Sequence, residues 1–133
     1  MMVINGKKFT MLWTVLKYAY GIVPIVLGLD KFFFFIVDWN IYVSPLVAVY
    51  VPMIAVSHLL QIVGIVEVVA GIIVLSKWTR FGAYLVAAWV GVVIINLLTI
   101  GGFYDIIARD LVIVLGYCTL ALLTEIKESA RQQ

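Results

Sequence analysis

Four long apolar runs constrain this chain more than any other feature of its sequence. A helix needs about 20 apolar residues to cross the hydrocarbon of a bilayer. Runs of that length occupy residues 10–29, 57–76, 81–104 and 106–123. The third run contains no charged residue, and the second contains only Glu67. The pattern therefore predicts four transmembrane helices.

Composition places these helices in lipid rather than in the core of a soluble domain. Hydrophobic residues make up 65% of the 133 residues and charged residues only 12%, about half of the usual charged share. A core of this size could not bury so much apolar surface. The net charge of +2 comes without a basic stripe interleaved with aromatic residues, so we predict no nucleic-acid partner.

Cysteine and histidine are too scarce for several kinds of redox or metal site. Cys118 and His58 are the single residues of their types. One copy of the chain therefore cannot form a disulfide, a two-histidine haem site or a Cys/His zinc site. The sequence also has no Ser/His/Asp set and no phosphate-binding loop. We predict no metal site, no covalently bound cofactor and no catalytic residues in the chain by itself.

Short links between the spans predict an all-α fold, an antiparallel four-helix membrane bundle that forms one domain over residues 1–133. Gly21 and Gly28 in the first span, like Gly64 and Gly71 in the second, are seven residues apart and favour close helix contact. Between these spans, IYVSPLVAVYVP (41–52) is apolar, too short to cross and bounded by prolines. It predicts a short interfacial or re-entrant segment over the mouth of the bundle.

The distribution of basic residues predicts the orientation. Seven of the nine lie before or early in the first span, between the second and third spans, or in the tail: Lys7, Lys8, Lys17, Lys77, Arg80, Lys127 and Arg131. Only Lys31 and Arg109 lie at the opposite ends of their spans. The bias predicts that both termini are cytoplasmic.

Polar residues gather at the other, outer end of the predicted bundle. This outer cluster consists of Asp30, Lys31, His58, Asn96, Asp105, Arg109 and Asp110. Asp105 is expected to cap the fourth helix, and Arg109 to be held by neighbouring carboxylates. One interpretation is a salt-bridged latch that closes the bundle. The other is a polar pocket for a quinone head group or a small anion.

Two further charges are predicted to lie deeper, Lys17 in the first span and Glu67 in the second. An ionisable group in the middle of a membrane costs about 2.5–3.5 kcal/mol and calls for a partner. Glu67 shares a helical face with Ser57, Gln61 and the two glycines of its span. We expect this face to point inward and Glu67 either to pair with Lys17 or to be protonated and neutral.

Aromatic residues mark the predicted membrane boundaries. Trp13, Trp39, Trp78 and Tyr104 lie near span ends, where amphipathic rings form interfacial belts. Trp89 lies in the middle of the third span and is expected to serve packing.

The sequence resembles the DoxX-like family of small four-helix membrane proteins. The resemblance rests on GIVPIVLGLDKFF (21–33), IVGIVEVVAGIIVL (62–75), SKWTRFGAYLVAAW (76–89) and FYDIIARDLVIVLGYCTLAL (103–122). It implies a multi-pass protein of a bacterial-type inner membrane and an accessory subunit of a redox or respiratory complex linked to quinone. Lys31, Glu67, Arg109 and Asp110 are the matching polar positions. The implied partners are lipid, a quinone, and other membrane subunits or a second copy.

Two other functions fit the same features. A proton-coupled transporter could use Glu67, although a four-helix unit would have to form an oligomer for this. A purely structural assembly protein would tolerate substitutions throughout the outer cluster.

Overall fold

The computed structural model describes residues 5–132, except for the side chains of Ala48, Met53 and Ile54, and contains no β-strand within that range. The described residues form five α-helices: α1 (Gly6–Phe33), α2 (Pro45–Tyr50), α3 (Met53–Leu75), α4 (Thr79–Ile100) and α5 (Tyr104–Arg131). A 3₁₀ turn, Trp39–Tyr42, precedes α2. Because α2 has only 6 residues, the bundle itself is formed by the four long helices.

These four helices correspond to the predicted spans, and each is long and apolar enough to cross a membrane. The 22 residues of α4 extend about 33 Å, close to the thickness of the hydrocarbon. The 28 residues of α1 and of α5 extend about 42 Å. Both helices therefore continue beyond the predicted spans, because charged residues at their ends tolerate water while the backbone stays helical.

The outer surface of the bundle is apolar. Large side chains such as Val112, Leu115 and Ile95 are exposed by more than half, whereas Val74, Ala83 and Leu120 are completely buried where α3, α4 and α5 meet. Since polar residues do not cover the outside, the fold suits lipid as its surroundings.

Helices α1 and α3 approach each other closely along a seam of glycines, as their spacing predicts. A Cβ atom on Gly28 would lie 2.6 Å from the carbonyl oxygen of Gly64, and one on Gly71 would lie 2.6 Å from that of Gly21. Only glycine fits at such backbone contacts. The paired glycines thus fix the antiparallel register of the two helices and, with it, the depth at which their charges meet.

The segment between α1 and α3 lies across one end of the bundle, as predicted. Ser44 caps α2 and is buried, and its hydroxyl lies 2.7 Å from that of Thr99 on α4. Tyr42 packs against Phe103 with ring centroids 5.2 Å apart. The 3₁₀ turn and α2 therefore form one wall at this end, which we call the mouth.

Candidate functional site

Asp30 organises the chain reversal that follows α1. Phe34 adopts a left-handed conformation with φ of 55°, which turns the backbone back on itself. The Asp30 carboxylate then accepts hydrogen bonds from the amides of Phe35, Ile36 and Val37, and from Nε1 of Trp39 at 2.9 Å. Asp30 is buried with its hydrogen-bonding capacity used internally. Its role is to place Trp39.

The neighbouring Lys31 forms a buried ion pair in the bundle. Its Nζ atom lies 2.6 Å from Oε2 of Glu67 on α3, and the two side chains are 5% and 15% exposed. The same Nζ lies 3.6 Å from the centroid of the Trp39 ring. Nε1 of Trp89 donates to the other carboxylate oxygen at 3.3 Å. The ion pair, the cation–π contact with Trp39 and the hydrogen bond from Trp89 thus hold one neutral, preorganised unit.

The prediction that Glu67 pairs with Lys17 is wrong. Lys17 lies toward the opposite end of the bundle, with Nζ 4.9 Å from the Trp13 ring centroid. Lys31 reaches Glu67 because Gly64 leaves room for its stem: a Cβ atom on Gly64 would lie 3.2 Å from Cβ of Lys31. The long lysine side chain therefore runs inward from the end of α1 to the middle of α3.

Next to this ion pair lies a cavity of about 330 Å³. Its walls are mostly apolar and come from α1, the segment after it, α3, α4 and α5. Among the lining residues that bear on function are Lys31, Trp39, Glu67, Trp89, Asn96, Arg109 and Asp110. Five of these seven were singled out from the sequence, so four residues of the outer cluster share one site with the deeper Glu67.

Asn96 links the cavity to the segment across the mouth. Its Nδ2 atom donates to the carbonyl oxygen of Tyr42 at 2.6 Å, and both residues line the cavity. An amide nitrogen carries two hydrogens. One of them holds the segment, and the second is available to a molecule in the cavity.

Arg109 and Asp110 lie at the start of α5. Nε and Nη2 of Arg109 donate to Oδ1 of Asp110 at 3.2 and 3.0 Å. Asp110 is buried, whereas the Arg109 side chain is 65% exposed. An arginine held by several carboxylates is therefore not observed among residues 5–132, and the pair leaves most of the guanidinium donors unused.

Asp105 does not cap α5, contrary to the prediction. Phe103 occupies the N-cap position without a side-chain hydrogen bond, and the helix begins at Tyr104. Asp105 is exposed in the first turn, where its charge is favourable to the helix dipole. Gly101 and Gly102, with φ of 76° and 103°, bring the chain into the helix before Asp105 is reached.

Two parts of the predicted polar surface lie outside the cavity. His58 is exposed on α3 and does not line it. Ser57 and Gln61 are also exposed, although the face they share with Glu67 was expected to point inward. Only the deeper part of that face is covered, because α1 contacts α3 at Gly64 and Gly71.

Two tryptophans belong to the site although the sequence assigned them other roles. Trp39 was predicted to be an interfacial belt residue, and Trp89 a packing residue. No periodicity relates Trp39 to Asp30, because the left-handed turn at Phe34 brings them together. For Trp89 the sequence did contain one indication: its indole N–H lies in the middle of a span, where it needs a hydrogen-bond acceptor from the protein.

The site has the character of a binding pocket. It combines apolar walls, two indole rings and a few hydrogen-bond donors, the usual arrangement for a small lipophilic ligand. Within residues 5–132, no three His, Cys, Asp or Glu side chains come together as metal ligands.

Fold and site together define a small multi-pass integral membrane protein of the four-helix type. Comparison of the chain with protein-family models, curated proteins and solved structures gives no match. The resemblance to the DoxX-like family thus stays a prediction.

Proposed function

We propose that the cavity binds the head group of a quinone-type molecule and that the protein is an accessory subunit of a membrane oxidoreductase. The second part follows the resemblance to the DoxX-like family. The first part has its own physical support, which starts from the electroneutral wall of the cavity.

Charge neutrality favours an uncharged ligand. The ammonium of Lys31 and the carboxylate of Glu67 compensate each other at 2.6 Å, and Asp110 is matched by Arg109. A ligand with a full charge would have to break one of these pairs or leave an uncompensated charge in a medium of low dielectric. A neutral ring with carbonyl groups has no such cost.

Size and donors fit the same class of ligand. A volume of about 330 Å³ lies at the lower end of the range for small-molecule sites and suits one substituted ring. Lys31 and Asn96 each keep N–H groups beyond those used in the structure. These donors can bind carbonyl oxygens while Trp39 and Trp89 flank the ring. A hydrophobic tail would leave between helices into lipid.

A fluorescence titration tests the binding. The variant that carries Trp13→Phe and Trp78→Phe keeps only the two tryptophans of the cavity. A short-chain quinone added to this variant in detergent should quench its emission saturably. Adding Val63→Phe, which fills the cavity, should weaken the binding by about tenfold, since overpacking a site costs about 1–3 kcal/mol.

Val69→Phe is the matched control for that substitution. Val69 lies six residues further along α3, half-exposed toward lipid and away from the cavity, so its variant should keep the original affinity. Equal quenching in both variants, or quenching that never saturates, would show that the quinone partitions into the micelle without occupying the cavity.

The proposed place in a larger complex has a separate test. Extraction from its native membrane in mild detergent should yield the protein together with at least one redox-active subunit. Recovery as a lone species, with quinone binding intact, would remove the accessory-subunit role and leave the binding site standing.

A further inference from the structure

A second cavity lies at the opposite end of the bundle from the mouth. It has a volume of about 370 Å³ and is lined by α1, the α3–α4 turn and the last turns of α5. Four basic residues border it, namely Lys17, Lys77, Lys127 and Arg131, together with one acidic residue, Glu128. We call it the basic pocket.

Trp13 forms the fixed centre of the basic pocket. Its Nε1 atom donates to Oγ1 of the buried Thr124 at 2.9 Å, which ties α1 to α5. The ammonium of Lys127 lies 3.4 Å from the centroid of this ring, and that of Lys17 lies 4.9 Å from it. Two half-buried lysines thus gather around one indole.

Within the described part of the chain, no ion pair compensates the four cations of the basic pocket. Among residues 5–132, ion pairs within 4 Å occur only at Lys31–Glu67 and Arg109–Asp110. Glu128 lines the pocket without contacting a cation at that distance. Two lysines held against a single ring repel each other, so an anion between them would lower the electrostatic energy.

The depth of the basic pocket identifies the kind of anion. The α3–α4 turn that borders it, at residues 76–78, ends a span whose length matches the hydrocarbon thickness. Its walls combine cations with apolar groups of Leu75 and Trp13. Phosphate groups of lipids occupy this level of a membrane, and basic pockets between transmembrane helices are known to bind anionic head groups.

We propose that the basic pocket binds the phosphodiester head group of an anionic phospholipid. The lipid phosphate lies between Lys17 and Lys127, Arg131 and Lys77 contact it from the rim, and the acyl chains follow the apolar surface of α1. This inference concerns a different cavity from the quinone proposal and does not depend on it.

Native mass spectrometry of the full chain in a neutral detergent tests the proposal. Phosphatidylglycerol should be retained as a one-to-one adduct, in preference to phosphatidylcholine with the same acyl chains. The double variant Lys17→Met with Lys127→Met should bind phosphatidylglycerol about 25-fold more weakly, that is, about fivefold for each cation removed. Inorganic phosphate in excess should leave the lipid bound.

Lys7→Met with Lys8→Met is the matched control, because it removes the same charge from exposed positions on the same helix. It should leave the affinity within about twofold, since solvent screens these charges. Arg131→Gln, a substitution at an exposed position on the rim of the pocket, provides a second measurement, with an expected loss of affinity of about fivefold.

Three results would overturn the assignment. They are equal retention of the two lipids, an equal loss of affinity in the control double variant, and displacement of the lipid by inorganic phosphate alone. The last result would indicate a site for a free anion.

Discussion

The two ends of this bundle use the same contact in opposite electrostatic settings. At the mouth, Lys31 lies over the ring of Trp39 and also pairs with Glu67. At the other end, Lys127 lies over the ring of Trp13 with no carboxylate of residues 5–132 within 4 Å. A lysine over an indole ring therefore does not by itself indicate which kind of ligand a site suits. From the presence or absence of a counter-ion we infer that the cavity at the mouth suits a neutral ligand and that the basic pocket suits an anion.

Depth explains why the counter-ions are distributed in this way. Lys31 is 5% exposed, and its charge would be costly in the low-dielectric interior without Glu67. Lys127 is half-buried near the end of α5, where water and lipid head groups are within reach of a long side chain. The interior pair is required for stability, whereas the charges at the rim remain available for binding.

Removing Lys31 should have the largest effect on stability of the substitutions that test this difference between the two ends. Lys31→Met leaves Glu67 as a mostly buried charge that keeps, among residues 5–132, only the Trp89 hydrogen bond. Loss of one partner of a buried pair costs about 3–5 kcal/mol. The free energy of unfolding, measured by chemical denaturation in mixed micelles, should fall by that amount. Lys17→Met removes a lysine from the same helix without breaking an ion pair and should cost much less.

A double variant sharpens the same experiment. Glu67→Gln added to Lys31→Met removes the orphaned charge, so the double variant should be more stable than Lys31→Met alone. If the double variant instead lost as much stability as Lys31→Met and Glu67→Gln lose in sum, that result would contradict the ion pair. Coupling of Glu67 to Lys17 instead would restore the pairing that the sequence predicted.

The sequence was sufficient to predict the bundle because its information is spread over long runs. Apolar runs of about 20 residues predict transmembrane helices, and paired glycines predict close contacts. The gathering of Lys31, Asn96, Arg109 and Asp110 at one end also followed from the order of the spans, since helices of known direction place their ends on known sides.

The partner of Glu67 could not be predicted because it depends on the register between helices. A helical wheel gives the face of Glu67 but not the depth of α3 relative to α1. The contact of Gly28 with Gly64 sets that depth, and the reach of a lysine side chain then selects Lys31. Trp39 was missed for a different reason: its position follows from a left-handed turn at Phe34, a residue type that rarely adopts such a turn.

The glycine seam offers the next test, since its two contacts differ from one end to the other. A Cβ atom on Gly28 would lie 2.6 Å from a backbone oxygen of α3, whereas one on Gly21 would first meet the flexible side chain of Leu75. Gly28→Ala should therefore force the helices apart and cost about 1–3 kcal/mol. Gly21→Ala should cost less, because Leu75 can change its rotamer.

The unfolding free energies of these two alanine variants, compared in the same micelles, check the prediction. Gly28→Ala should also lengthen the contact between Lys31 and Glu67 and lower the affinity of the cavity for quinone. Equal losses of stability in the two variants would mean that the helices adjust their spacing as rigid bodies along the whole seam.

The smallest effect is expected from Thr124→Val, which affects only how the basic pocket is held. The Thr124 hydroxyl accepts the hydrogen bond from Trp13 and donates to the carbonyl oxygen of Leu120 at 2.7 Å. Valine keeps the shape but leaves the indole N–H without its partner, a loss of about 1 kcal/mol.

Thr119→Val is the control, since its exposed hydroxyl bonds only within α5, to Leu115. Lipid retention should decrease in Thr124→Val and stay unchanged in Thr119→Val, because only Thr124 fixes the ring on which Lys127 lies. Unchanged lipid retention in both would mean that the cations of the basic pocket bind the phosphate without a fixed indole, so that the two ends of the bundle would differ in preorganisation as well as in charge.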